Sequence, residues 1–433
     1  MLRWRTLIAA AVAVAAHLAA QNLPDYELPP INYSTALASN TVSRLQARLD
    51  AGRGRLPLGE PTACLRELLA ALEAPVASQV LVFSKTSLQR ALIEPRRPRA
   101  IYFSEDAYVG WVPGGLMEVA VTDPQLGLTF YRFDPRDTTQ PVRFARDADC
   151  LSCHAGSLTR DWPGLMVRSV FPDAHGEPIV SAGTFLIGHD SPLSERWGGW
   201  YVTGTHGAAR HLGNAIATEA AGGATLDREA GANVTNLAGY FATNQYLRPD
   251  SDIVALMVLE HQVGMHTRLA QAALRVRKWM AYQQNLQREL KEPVTDVPEG
   301  TARRVVETEA GRIVEHLLFC DEASLPANGV HGAGDFERAF CRNKCADPRG
   351  RSLKDFDLRT RLFAWRCSYM IYSQAFDALP PALKACVYQR LKAVLTASEP
   401  PKRFAHLSAA ERTAIGEILL ATKPDLKAAW TDH

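Results

Sequence analysis

Two hydrophobic rhythms follow one another along the chain. Between residues 79 and 133 the apolar positions come in short β-branched and aromatic runs: Gln79–Phe83, Ala100–Phe103, Tyr108–Val112, Met117–Val121 and Leu128–Phe133. Pro, Gly and Asp separate them. Runs of this length bounded by turn residues predict strands, and five in succession predict a small antiparallel sheet. The loop-rich stretch 134–215 adds two strand expectations, Val167–Phe171 and Ile179–Leu186. Beyond residue 250 the spacing becomes helical. Asp250-Ser251-Asp252 offers a cap for a helix running from Ile253 to about Glu292, where Pro293 and Pro298 break it. Amphipathic spacing predicts further helices over Thr301–Phe319, Leu353–Phe376, Pro381–Thr396 and Ala409–Ala421, with two early ones over Thr35–Arg53 and Leu65–Leu72. The Ala/Gly-rich stretch Glu219–Asn233 reads as a linker or mobile loop. The expectation is an α+β chain, with a strand-containing, loop-rich region over 21–218, a connector over 219–233 and a mainly α-helical region over 234–433.

The first twenty residues have a different character. Arg3 and Arg5 precede a short Ala/Val/Ile run from Leu7 to Ala16, and Ala19-Ala20 supplies small residues before Gln21. This is the pattern of a cleaved secretory signal peptide. The next longest apolar run, Ile253–Leu259, falls far short of the ~18 to 20 residues that span a bilayer. The mature chain is therefore expected outside the cytoplasm without a stable membrane span, and in the periplasm of a two-membrane bacterium.

Composition excludes some function classes. With 48 Lys+Arg against 46 Asp+Glu, a net charge of +2 and 47% hydrophobic residues, the chain is neither disordered nor electrostatically drawn to nucleic acid. No G-x-S-x-G, H-E-x-x-H, Walker loop or dinucleotide fingerprint is present, so hydrolase and nucleotide chemistry have no residue support.

One motif does carry chemistry. Cys150-Leu-Ser-Cys153-His154 has the C-x-x-C-H spacing of covalent haem attachment. Two thiols three residues apart can form thioethers with the two vinyl groups on one porphyrin edge, while the adjacent imidazole ligates iron. In a chain of 433 residues with 8 Cys and 12 His, chance supplies such a pentapeptide only about 0.004 times. A redox or disulfide C-x-x-C, or a zinc site using Cys150 and Cys153, are the alternatives. The zinc reading lacks a second C-x-x-C or an H-x3-5-H partner. The motif occurs once, so one haem c per chain is expected, with Cys150 and Cys153 as its thioether anchors and His154 as the proximal iron ligand.

On this motif the chain resembles the c-type cytochromes. Its flanking segments are similar to those of a family of large exported bacterial monohaem proteins. The segments are Phe83–Gln89, Arg99–Phe103, Asp123–Gly127, Cys150–His154, Trp197–Gly207 and Arg361–Phe363. The resemblance implies haem binding and electron transfer to redox partner proteins, and names no substrate. The chain departs from small cytochromes c, compact helical domains of about a hundred residues, because strands precede the motif and a long chain follows it. Their fold, and their usual Met as sixth ligand, are not carried over.

The residue opposite His154 separates a carrier from a catalyst. His206 and His211, in a Gly-rich loop after Trp197-Gly-Gly-Trp200, are the first candidates for the distal side. Met257, His261 and Met265 form a stripe on the long helix with His266 beside it, and Met166, His175 and His189 are further candidates. Each has an ordinary alternative as a core or loop side chain. Trp111, Trp197, Trp200 and Tyr201 are candidates for packing on the porphyrin rim, and Arg160, Arg168 and Arg196 for pairing with propionates. The other six cysteines, Cys64, Cys320, Cys341, Cys345, Cys367 and Cys386, suggest disulfides in an oxidising compartment; Cys341, Cys345 and His331 also suggest a metal site. The reading is an exported monohaem electron-transfer protein. A haem enzyme acting on peroxide, a nitrogen oxide or a sulfur oxyanion is the alternative, and a haem-based sensor a third. Oligomeric state is not legible.

Overall fold

The computed structural model describes residues 23–431. The signal peptide expected over residues 1–20 lies outside them. Among the described residues no helix is long and apolar enough to cross a membrane.

The architecture is α+β and is organised by one antiparallel sheet. Its strands are β1 (Val80–Val82), β2 (Arg99–Phe103), β3 (Ala107–Trp111), β4 (Met117–Asp123), β5 (Gly127–Phe133) and β6 (Ala145–Arg146), and a late strand completes it. After a hairpin of β7 (Arg168–Val170) and β8 (Thr184–Leu186), β9 (Trp200–Tyr201) joins the free edge of β1, giving the order β6-β5-β4-β3-β2-β1-β9. Alternation decides the layers. On β4, Met117, Val119 and Val121 point to one face and Ala120 to the other; on β5, Tyr131 and Phe133 oppose Leu128 and Phe130. The first face is covered by α1 (Thr41–Asp50) and α2 (Pro61–Ala71), which contribute Val42, Leu45, Leu65 and Leu68. The second face is covered by the helical half of the chain. Because both faces are buried, the strands read as almost continuous apolar runs.

The motif lies on a short helix, α3 (Leu151–His154), just after β6. The long helix α4 (Ile253–Glu289) then crosses the second face of the sheet. Asp252 caps it, its Oδ1 accepting from the amides of Val254 (2.8 Å) and Ala255 (3.4 Å). The helices α5 (Gly300–Leu317), α6 (Asp335–Phe340), α7 (Gln374–Asp377), α8 (Pro381–Thr396), α9 (Ala409–Thr422) and α10 (Pro424–Thr431) complete the chain. Strand residues such as Val80, Leu128 and Phe130 share one hydrophobic core with α4, α5, α8 and α9. The two halves expected from sequence are therefore packed on a common core.

Two expectations need correction. The connector over 219–233 is in large part a hairpin: β10 (Ala217–Ala220) pairs with β11 (Gly223–Leu226), with Gly222 at positive φ in the turn. The segment Leu353–Phe376 is not one continuous helix: it is irregular up to Ser368, followed by a 3-10 turn at Tyr369–Tyr372 and the start of α7 at Gln374. Its Asp and Ser side chains bond the local backbone instead: Asp357 accepts from the amides of Arg359 and Thr360, and Ser368 from that of Met370. The Ser368 amide in turn caps the end of α5 by donating to the Leu317 carbonyl at 2.7 Å.

Candidate functional site

The chemistry of the site begins with how the chain grips His154. After α3 the backbone turns through Arg160 and Asp161, both left-handed, and returns at Gly164. Gly164 then holds His154 twice: its amide donates to the His154 carbonyl at 2.8 Å, and its carbonyl accepts from Nδ1 at 2.9 Å. A carbonyl can only accept, so the imidazole proton sits on Nδ1 and Nε2 carries the lone pair. Phe130 stacks on the ring, with centroids 4.5 Å apart and planes 23° apart. Burial lowers the proton affinity of His154, opposed by the bond to Gly164. The result is a neutral, oriented imidazole with one nitrogen available for a metal.

The helical half fixes this loop. Thr267 on α4 accepts from the Leu165 amide (2.8 Å) and donates to its carbonyl (2.7 Å), and Gln271 donates to the Thr159 carbonyl at 2.6 Å. Gly164 lies so close to the helix that a Cβ there would meet the Thr267 methyl at 2.9 Å and Gln271 Nε2 at 3.3 Å. Only glycine lets the loop sit against α4.

Cys150, Cys153 and His154 together line a cavity of about 360 Å³ between the sheet, the motif and α4. Its walls are largely apolar: Val82, Ile101, Val119, Ala120, Phe130, Leu165, Val167, and Leu259 and Val263 of α4. Its polar lining includes Thr86, Ser87, Ser152, Ser157 and the Arg99–Glu118 pair. Arg99 pairs with Glu118 at 2.6 Å and lies over Gly110, where any Cβ would collide with the guanidinium. Arg168 also lines the cavity, and its buried Nε has no hydrogen-bond partner. The two thiols are free despite their C-x-x-C spacing, and burial pushes the Cys150 thiol up to about 12, reinforced by Asp147. An apolar slot with two free thiols, a lone-pair imidazole nitrogen and an unpartnered guanidinium nitrogen fits a porphyrin bearing propionates.

The structure sorts the other candidates. Met166, Arg168 and Trp200 line this cavity; Trp111, Trp197 and Tyr201 do not. His206 and His211, the first candidates for the distal side, do not line it either. Both are buried against each other, centroids 4.7 Å apart, and serve their loop: Asn233 Oδ1 accepts from the His206 amide at 2.6 Å, and His211 Nδ1 accepts from the Gly213 amide at 3.0 Å. Burial drops His211 to about 3. Met257, His261, Met265 and His266 also stay off the cavity wall, because α4 faces it with Leu259 and Val263. Arg196 is buried in an ion pair with Glu260 (2.8 Å), whose other oxygen accepts from Trp197 Nε1. Arg160 is exposed. The eight cysteines are all free, so the expected disulfides are not formed, and Cys341, Cys345 and His331 do not converge on a metal site. Sequence reading missed Arg99, Gly164, Thr267 and Gln271, whose spacing from the motif carries no signal. Comparison with protein-family models, curated proteins and solved structures finds nothing that matches this chain.

Proposed function

We propose that the protein is an exported monohaem c-type cytochrome that transfers electrons to and from redox partner proteins. The observation that carries this reading is the Gly164 grip on His154, which frees Nε2 beside two unpaired thiols in one apolar cavity. When bound, haem c supplies a one-electron iron couple. Cys150 and Cys153 would hold it through thioethers and His154 would ligate its iron. Arg99 and Arg168 would accept its propionates, and Phe130 would keep the imidazole plane fixed. Met166 is the one sequence-predicted distal candidate on the cavity wall, and a thioether there would complete the iron's coordination and leave no site for a substrate.

The reduced protein, produced with haem c maturation, decides between carrier and catalyst by its optical spectrum before and after carbon monoxide. A spectrum unchanged by carbon monoxide is expected. A shifted spectrum would overturn the carrier reading in favour of an open iron site, as in a haem enzyme acting on peroxide, a nitrogen oxide or a sulfur oxyanion, or in a haem sensor. A Met166→Leu variant that gains carbon monoxide binding would identify the distal ligand.

A further inference from the structure

Three histidines that the haem site does not use meet deep in the helical half. His189 comes from the loop after β8, His261 from α4 and His316 from the last turn of α5, and one ring nitrogen of each lies within 4.8 Å of the others. All three are buried, His261 completely. Their ring centroids are 4.4, 4.9 and 5.1 Å apart. No carboxylate or thiolate belongs to the group.

His189 Nε2 faces the Cys320 carbonyl at 3.3 Å, which can only accept, so His189 carries its proton there and presents a lone pair at Nδ1. That Nδ1 lies 2.9 Å from His261 Nδ1. Two lone pairs cannot face each other at this distance, so the gap holds either a proton or a cation. His261 Nε2 is 2.7 Å from Ser368 Oγ, which also accepts from the Met370 amide: with the hydroxyl donating to Nε2, His261 donates from Nδ1 to His189, and with the hydroxyl accepting, Nδ1 presents a lone pair to a cation. Metal-bound imidazoles characteristically donate their outer N–H to such an oxygen. With metal–nitrogen bonds of about 2.05 Å, two nitrogens at the right angle of a tetragonal Cu²⁺ lie about 2.9 Å apart, and at the tetrahedral angle of Zn²⁺ about 3.3 Å. The observed separation is therefore already that of two adjacent ligands.

We propose that His189, His261 and His316 form a binding site for one divalent first-row transition ion, Zn²⁺ or Cu²⁺, with all three ligating through Nδ1, because His316 Nε2 donates to the His261 carbonyl at 3.1 Å. Neutral imidazoles without carboxylate or thiolate suit these ions and disfavour Mg²⁺ and Ca²⁺. The site is shaped from one side by Phe319, which stacks on His261 with centroids 4.2 Å and planes 13° apart. The same Phe319 lines a second, polar cavity of about 440 Å³ with Glu322, Arg361, Arg366 and His406.

The test uses the full chain, stripped of metal by chelation and titrated calorimetrically with Zn²⁺ alone and with Cu²⁺ alone. One equivalent is expected to bind, the melting temperature is expected to rise with it, and the Cu²⁺ form should show nitrogen hyperfine structure from three imidazoles. His189→Gln and His316→Gln should each weaken binding at least tenfold while leaving the haem spectrum unchanged. His189 lies in a loop, which keeps a folded variant in hand if the helix variant is unstable. Binding should persist in Cys150→Ser/Cys153→Ser, separating this site from the haem motif and its fate from that of the haem reading. Absence of binding and of any melting shift with both ions would overturn the proposal, leaving a shared proton between His189 and His261. Equal binding in wild type and both His variants would overturn it too.

Discussion

The C-x-x-C-H motif and the three-histidine cluster lie on either side of the same helix and pose opposite problems. At the motif, the proposed thioether anchors and proximal ligand come from five consecutive residues, with Met166 the proposed ligand outside them, and the fold's contribution is to orient one ring through Gly164, Thr267 and Gln271. In the cluster the ligands come from three elements separated by 72 and 55 positions, and nothing but the packed fold brings them together. Leu259 and Val263 of α4 face the cavity at the motif, while His261 between them faces the cluster. A local motif can capture its cofactor before the chain is folded; a dispersed one exists only afterwards.

The sharpest way to break this comparison is to remove the local anchors. Cys150→Ser/Cys153→Ser is expected to abolish covalent haem completely, read as loss of haem staining on a denaturing gel, without loss of cooperative unfolding. Retained covalent haem would sink the assignment of the motif.

Acid separates the buried imidazoles next. His266 on α4, bonded through Nδ1 to the Tyr108 hydroxyl at 2.7 Å, is dropped by burial to about 3. Its folded value lies below the unfolded one of about 6.5, so the unfolded chain binds the extra proton. Its contribution to stability is full above about pH 6.5 and falls as pH is lowered toward 3. Each such histidine adds a slope of about 1.4 kcal/mol per pH unit within that window. In urea unfolding at pH 6 to 4, His266→Gln is expected to flatten the profile by about that much; an unchanged slope would show that His266 is protonated in the folded protein.

Thr267→Val should have a smaller effect. It removes both hydrogen bonds to Leu165 at nearly constant volume and is expected to cost about 1–3 kcal/mol, because the Leu165 amide and carbonyl are left unpaired. The same variant should alter the reduction potential of the haem by loosening His154, an effect that a purely global destabilisation would not produce below the unfolding transition.

Legibility in the sequence divides along the same line. The five strands between 79 and 133 could be read because each is bounded by turn residues and is apolar on both faces. The helix from Ile253 could be read from its Asp252 cap and its terminating prolines. Leu353–Phe376 misled because its apolar spacing is helical while its Asp and Ser side chains bond the backbone locally. In the site, Cys150, Cys153 and His154 were legible as a spaced motif, and Met166 and Arg168 only as members of longer candidate sets. His206 and His211 looked functional because histidines in a Gly-rich loop carry no sign of whether they bond a ligand or, as with Asn233, their own loop. His189 and His261 were weighed for the iron and lie instead in a cluster with His316, a convergence that no periodicity encodes.

The sheet has one further consequence. Its two outermost strands, Ala145–Arg146 and Trp200–Tyr201, are each only two residues long. An unpaired edge is a template on which another polypeptide can add itself, and a long, flat edge invites such growth. Here the broad central strands, rich in Val, Tyr and Phe, are closed off on both sides by stubs that offer few backbone groups to a newcomer. Beside β5 only Tyr131 and Arg132 are paired by the stub, and beside β1 only Leu81 and Val82, so each end of the sheet stops in a strand too short to template a long addition.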